Sequence, residues 1–145
     1  MKTKPQPRSK KKYYTVAEAN ATLPLLRSIL TDITALATEL RDQHERLVRL
    51  QKGDGLDDAH REEVQQLVEQ FERGQGKMSE FEQELTKLGI ELKDYFTGLV
   101  DFRHLKDGKE VYLCYRFGET EVAHWHDLHT GFSGRQKLEA PILNG

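Results

Sequence analysis

The sequence predicts an α+β fold: a long antiparallel helical hairpin, coiled-coil-like, followed by a small antiparallel β-meander. Three observations predict it. Apolar residues recur every seven positions in two long segments. A Gly/Asp turn separates those segments. Beyond Gly89 the apolar period drops from seven to two.

The helical signal starts at Thr15-Val16-Ala17-Glu18, a capping box with Tyr14 placed to pack as a staple. Pro24 cannot sit in a helix interior without losing a hydrogen bond, yet it suits a first turn. A short helix over about 16–21 is therefore expected, then a new start near Thr22. From there Leu26, Ile33, Leu40 and Leu47 form one heptad series, and Ile29, Leu36, Gln43 and Leu50 the interleaved one. Gln43 is the polar position of this seam, a residue type that sets register or oligomeric state. Lys52-Gly53-Asp54-Gly55 reads as the turn.

The second arm starts near residue 58. Val64, Phe71, Met78 and Leu85 form one series; Leu67, Gly74, Phe81 and Leu88 form the other, and Gly89 is the stop. Pairing the arms end to end puts Leu50 near Val64, Leu40 near Gly74 and Leu26 near Leu88. His44 and His60 read as solvent-facing.

Four strands are expected beyond Gly89: 90–93, 99–102, 111–116 and 122–126. Val111 to Arg116 is the strongest of them, and Asp107-Gly108 marks a turn before it. Residues 131–145 read as a Gly-rich loop. The expected division is a disordered basic tail over 1–12 and one domain over 13–145, made of the hairpin (13–89) and the sheet with its C-terminal loop (90–145).

Composition limits the function classes. No apolar run approaches the ~18 residues of a membrane span, and no apolar stretch follows the N-terminal charges. The lone Cys114 cannot close an internal disulfide and suits a reducing compartment, so a cytoplasmic location is expected. The net charge of −2 hides six basic residues within 1–12, which leave the rest of the chain at −8. An acidic body is a poor nucleic-acid surface, because phosphate neutralisation supplies most of that affinity. Only the basic tail suits such a contact.

Two blocks carry a family resemblance. The first is Tyr14 to Pro24. The second runs through Gly98-Leu99-Val100-Asp101-Phe102, Gly108 to Tyr115, Gly118-Glu119, Trp125-His126 and Gly131 to Arg135. With the hairpin between them, residues 13–138 resemble a bacterial family known as domain of unknown function 2203. The chain departs from that pattern at Arg103-His104, where a Pro-containing turn follows the Asp-Phe pair. The resemblance implies a bacterial cytoplasmic protein, and it carries no catalytic role, cofactor or partner with it.

The sharpest chemical feature is His124 and His126. On a strand, residues i and i+2 face one side roughly 6.5–7 Å apart, near enough for two imidazoles to share a metal ion. If residue 114 lies opposite 124, Tyr112, Cys114 and Arg116 share that face; a one-residue slip moves Cys114 to the Trp125 side. Cys114, His124 and His126 would suit zinc or another transition metal, with Asp101, Asp127 or His129 as a further ligand. The plainer reading is a half-buried strand whose histidines hydrogen-bond or face solvent. No CxxC, HExxH, GxGxxG, phosphate-loop or EF-hand pattern is present. Cys114 as a nucleophile would need a lowered pKa and a base. Its mid-strand setting reads instead as core.

Arg116, Glu119 and Arg135 suit an anion site beside the Gly131-Phe132-Ser133-Gly134 loop, together with Asp101, or else a turn pinned by an Arg–carboxylate pair. Trp125 alternates with the histidines and is expected to face the sheet–helix core. The leading expectation for function is a non-enzymatic module whose hairpin self-associates or binds a protein partner. The alternative is a metal-binding or small-ligand protein, with an enzyme among the options, that has its site on the sheet.

Overall fold

The computed structural model describes residues 12–52 and 57–139. The expected basic tail (Lys12 apart), the Gly53-Asp54-Gly55 turn and residues 140–145 lie outside the described residues.

Helix α1 spans Val16–Ala21. Thr15 accepts from the Glu18 amide and the Glu18 carboxylate accepts from the Thr15 amide, so the capping box is complete. Helix α2 spans Leu23–Gln51 with Pro24 in its first turn, where no amide is missed. Helix α3 spans Asp58–Leu88; Asp57 caps it by accepting from the His60 amide, and Gly89 ends it.

The arms run antiparallel in the expected register. Arg46 pairs with Glu63 at 2.8 Å, and His44 stacks at a tilt on Phe71. At Gly74 any side chain would collide with Leu40, its Cβ lying 2.5 Å from Leu40 Cδ2, so Gly74 is the hole that Leu40 fills. His60 does not simply face solvent. Its Nε2 reaches the Leu50 carbonyl at 3.2 Å and ties the two helix ends together. The buried stripe of α2 is wider than the heptad seam at its N-terminal end, adding Leu23, Leu30 and Ala37. There α2 packs against the sheet as well as α3, and a strict heptad serves only one partner.

Among the described residues five strands follow in the order β1-β2-β3-β4-β5, all antiparallel: β1 Ile90–Asp94, β2 Leu99–Lys106, β3 Lys109–Arg116, β4 His124–His126 and β5 Gln136–Lys137. Strand β2 runs farther than expected, because residues 103–106 pair across the Asp107-Gly108 turn with β3. The C-terminal segment is not merely a loop. It makes a 3-10 turn at Phe132–Gly134 and pairs as β5 on β4. Where β1 stops covering β2, Tyr14 N–H donates to the Arg103 carbonyl and closes that edge.

The sheet has two different faces. Val100, Phe102, Leu113 and Tyr115 point at the helices and are fully buried. Trp125 joins that side half-buried. Tyr14 packs edge-on against Phe102 and donates to the Leu88 carbonyl at 2.5 Å, joining helix to sheet. The opposite face carries Glu91, Lys93, Asp101, Tyr112, Cys114, His124 and His126, by strand alternation. No helix among the described residues is long and apolar enough to cross a membrane.

Candidate metal centre

The pairing of β3 with β4 sets Cys114 opposite His124 and Tyr112 opposite His126. Of the two registers that the sequence allows, this one buries Leu113 against Trp125 and turns Cys114 toward the histidines. Asp101 lies opposite Cys114 on β2. Asp101 and His126 are therefore two strands apart, about 10 Å between backbones at ~4.8 Å per strand. Their side chains still meet, because the small Cys114 lies between them.

His126 Nε2 lies 3.1 Å from both carboxylate oxygens of Asp101. Its Nδ1 lies 2.7 Å from the Asp127 carbonyl, an acceptor only, so Nδ1 is assigned the proton. Nε2 and Asp101 then share a further proton: either an imidazolium faces a carboxylate, or a carboxylic acid donates to the imidazole. Both residues are buried, at 3% exposure each. Burial pushes the Asp101 carboxyl above its ordinary value, against the opposing pull of His126 and Lys93. Burial first, and then the Asp101 charge, push the Cys114 thiol up to about 12. A free thiolate nucleophile is incompatible with that setting.

One Asp101 oxygen, Cys114 Sγ and one His126 ring nitrogen all lie within 4.8 Å of one another, and all three residues are buried. Bonds of ~2.0 Å about a tetrahedral ion place neighbouring N and O ligands roughly 3.3 Å apart, close to the 3.1 Å between Asp101 and His126. The Nδ1–H bond to a carbonyl is also how metal-ligating histidines are oriented. The donor set fits a borderline-soft divalent ion, which would displace the proton shared by Asp101 and His126.

His124, expected as a ligand, stands outside this group. Its Nδ1 accepts from Arg135 at 2.7 Å. Burial, followed by the Arg135 charge, lowers its pKa and keeps it neutral. Arg135 also pairs with Glu119 at 2.9 Å, and Glu119 accepts from the Arg116 amide at 2.8 Å. Burial alone would raise the Glu119 carboxyl, but the bonds from Arg135 and Arg116 hold it below its ordinary value. Arg116, Glu119 and Arg135 thus come together, with Glu119 accepting from the Arg116 amide and from the Arg135 guanidinium, while Arg135 Nε is buried with no hydrogen-bond partner among the described residues. The Arg116 guanidinium lies 5.3 Å from the Phe132 ring centroid and that of Arg135 lies 4.6 Å from it. These contacts fasten the 127–135 segment over the sheet face. Gly134 belongs to the same closure, since a side chain there would strike Thr130.

Beneath that segment is a cavity of about 300 Å³. Asp101 and His126 form part of its wall, with Lys93, Tyr112, His129 and Phe132 around them. The Tyr112 ring packs on His126, centroids 5.5 Å apart. His129 is exposed and lines the cavity, whereas Asp127 is not in its wall and meets the site only through its backbone carbonyl, which accepts from His126 Nδ1. Sequence reasoning put Tyr112 on the histidine face and the Phe132 loop beside a candidate anion site, but it missed Lys93 as a lining residue. Glu91, Lys93 and Tyr112 fall on the polar side by period-two alternation, a signal that was present.

Residues 12–138 match the family described as "Uncharacterized conserved protein (DUF2203)", and the chain belongs to that family. No curated protein and no solved structure matches it.

Proposed function

We propose that this member of the domain of unknown function 2203 family is a bacterial cytoplasmic protein that binds one transition-metal ion, zinc by donor chemistry, through Asp101, Cys114 and His126. The observation that carries the reading is the convergence of three buried ligand-type side chains, from three adjacent strands, beside a cavity. Burying a carboxylate and an imidazole costs several kcal/mol unless something compensates it; the Asp101–His126 bond offsets part of that cost, and a divalent cation would offset more. Three protein ligands leave a fourth position for water or a small molecule, the pattern of reactive rather than structural metal sites. Elemental analysis after purification without chelator tests this. About one ion per chain is expected in the parent protein and in His124→Ala, and none in a folded His126→Ala. Equal, trace metal in all three would end the reading.

A second reading is supported by the hairpin. A groove of about 390 Å³ lies between the helices and the β1–β2 turn, with Leu40, Phe71, Met78 and Phe96 along it. Phe96 is 50% exposed. Large apolar rings left open beside an apolar groove suit self-association. Sedimentation velocity over a concentration series is expected to reveal a dimer that Phe96→Ser weakens. A parent protein that stays monomeric throughout would count against it.

A further inference from the structure

We propose that the metal centre and Lys93 together bind a small organic acid. Its carboxylate would lie between the open metal position and the Lys93 ammonium, and its short apolar body against Leu99, Leu128 and Phe132. This inference rests on the metal reading above.

Lys93 is aimed by a bulge. The β1–β2 register runs Leu92↔Val100 and then Asp94↔Leu99, so Lys93 is the extra residue with no partner opposite. Bulges re-aim single side chains and recur beside functional sites. Here the bulged residue shares the cavity wall with Asp101 and His126.

Charge selects the ligand class. A divalent ion bound by the Asp101 carboxylate, the Cys114 thiolate and neutral His126 makes a centre of zero net charge. The added positive charge on the wall is then Lys93. Lys93 lies 3.1 Å from Glu91, but Glu91 also holds Arg103 at 3.3 Å and accepts from Tyr112 at 3.3 Å. Lys93 can therefore turn to a ligand without leaving Glu91 unpaired. One ammonium and one open metal position match a monoanionic carboxylate better than a doubly charged phosphate.

Shape selects the rest of the molecule. Leu128 and Phe132 are 43% and 38% exposed, and Leu99 is half-buried, so an apolar wall stands around a polar base. Ligand pockets combine apolar walls with a few convergent polar groups, and about 300 Å³ lies at the small end of their range.

The test uses the full chain loaded with cobalt(II), whose visible bands report changes in coordination. Acetate, 3-methylbutanoate and phosphate are titrated into the parent, Lys93→Gln and Lys93→Arg. Branched-acid binding is expected to shift the bands with an affinity about tenfold or more above acetate, from the buried methylene and methyl groups. Lys93→Gln is expected to weaken it roughly tenfold by loss of a charge-assisted bond, with cobalt content unchanged; Lys93→Arg is expected to recover most of it. Cobalt bound with bands that no acid moves would overturn this inference alone. So would phosphate binding more tightly than the acids, or a Lys93→Gln response equal to the parent's. Failure of the parent to take up cobalt would overturn the metal reading and this inference with it.

Discussion

The two faces of the sheet are made by the same strands and do opposite things. Phe102 and Asp101 are neighbours on β2, and Leu113 and Cys114 are neighbours on β3. One member of each pair is buried against the helices by apolar packing. The other is buried under the 127–135 segment among charges. Burial on the first face stabilises the fold at about 25 cal/mol per Å² of apolar surface. On the second face it costs free energy that hydrogen bonds or an ion must offset. The difference teaches that burial by itself does not identify core: Asp101 and His126 are as inaccessible as the apolar residues beside them.

The comparison breaks most sharply at Phe102. Phe102→Ala empties a fully buried site between Tyr14 and the sheet, and is expected to lower stability by about 3–5 kcal/mol in urea unfolding. Asp101→Ala should cost less, about 1–3 kcal/mol, by leaving His126 Nε2 without its buried partner. Asp101→Asn should cost less still while removing metal binding. If Asp101→Asn keeps the metal, the carboxylate is not a ligand.

The fastening of the polar face gives smaller effects. Arg135→Ala removes the Glu119 pair, the bond to His124 and one cation against Phe132. It should raise hydrogen exchange across 127–137 while leaving α2 and α3 protected, at a global cost of about 1–2 kcal/mol. A uniform rise through the helices would mean that the segment is part of the core rather than its cover.

The smallest effect is with pH. Glu119 sits below its ordinary value of 4.5 in the folded chain. Its contribution is therefore fully present above that value and is lost as pH falls through the lowered one. The Asp101 carboxyl is raised by burial, so its sign is reversed: it favours the folded state most at low pH and less as pH rises through its own value. Acid titration of the Glu119→Gln variant is expected to show a smaller low-pH loss than the parent, with a remainder carried by Asp94, whose carboxyl the Thr97 and Phe96 amides also hold below its ordinary value.

Much of the helix-facing half was legible in the sequence. Heptads carry their own register, so the seven-residue spacing alone sets Leu40 against Gly74, where the structure has it. Alternation over Val111 to Arg116 placed Cys114 and Leu113 on opposite faces. Strand β2 past Phe102 was not legible, because Arg103 to Lys106 looks like polar loop until β3 pairs with it. The makeup of the candidate metal group was only half legible. Nearness along β4 suggested His124 with His126, whereas the contact that forms is between strands, across Cys114 to Asp101. The folding of 127–135 back over the sheet rests on Arg135, Glu119 and Phe132, a long-range match that no local pattern announces.

The most direct test of the central claim is the near-ultraviolet spectrum of the cobalt(II)-loaded protein beside its Cys114→Ser variant. A thiolate-to-cobalt charge-transfer band in the parent at one cobalt per chain, lost in Cys114→Ser, is the result this account expects. A folded parent that takes up cobalt with no such band, or takes up none, would contradict it.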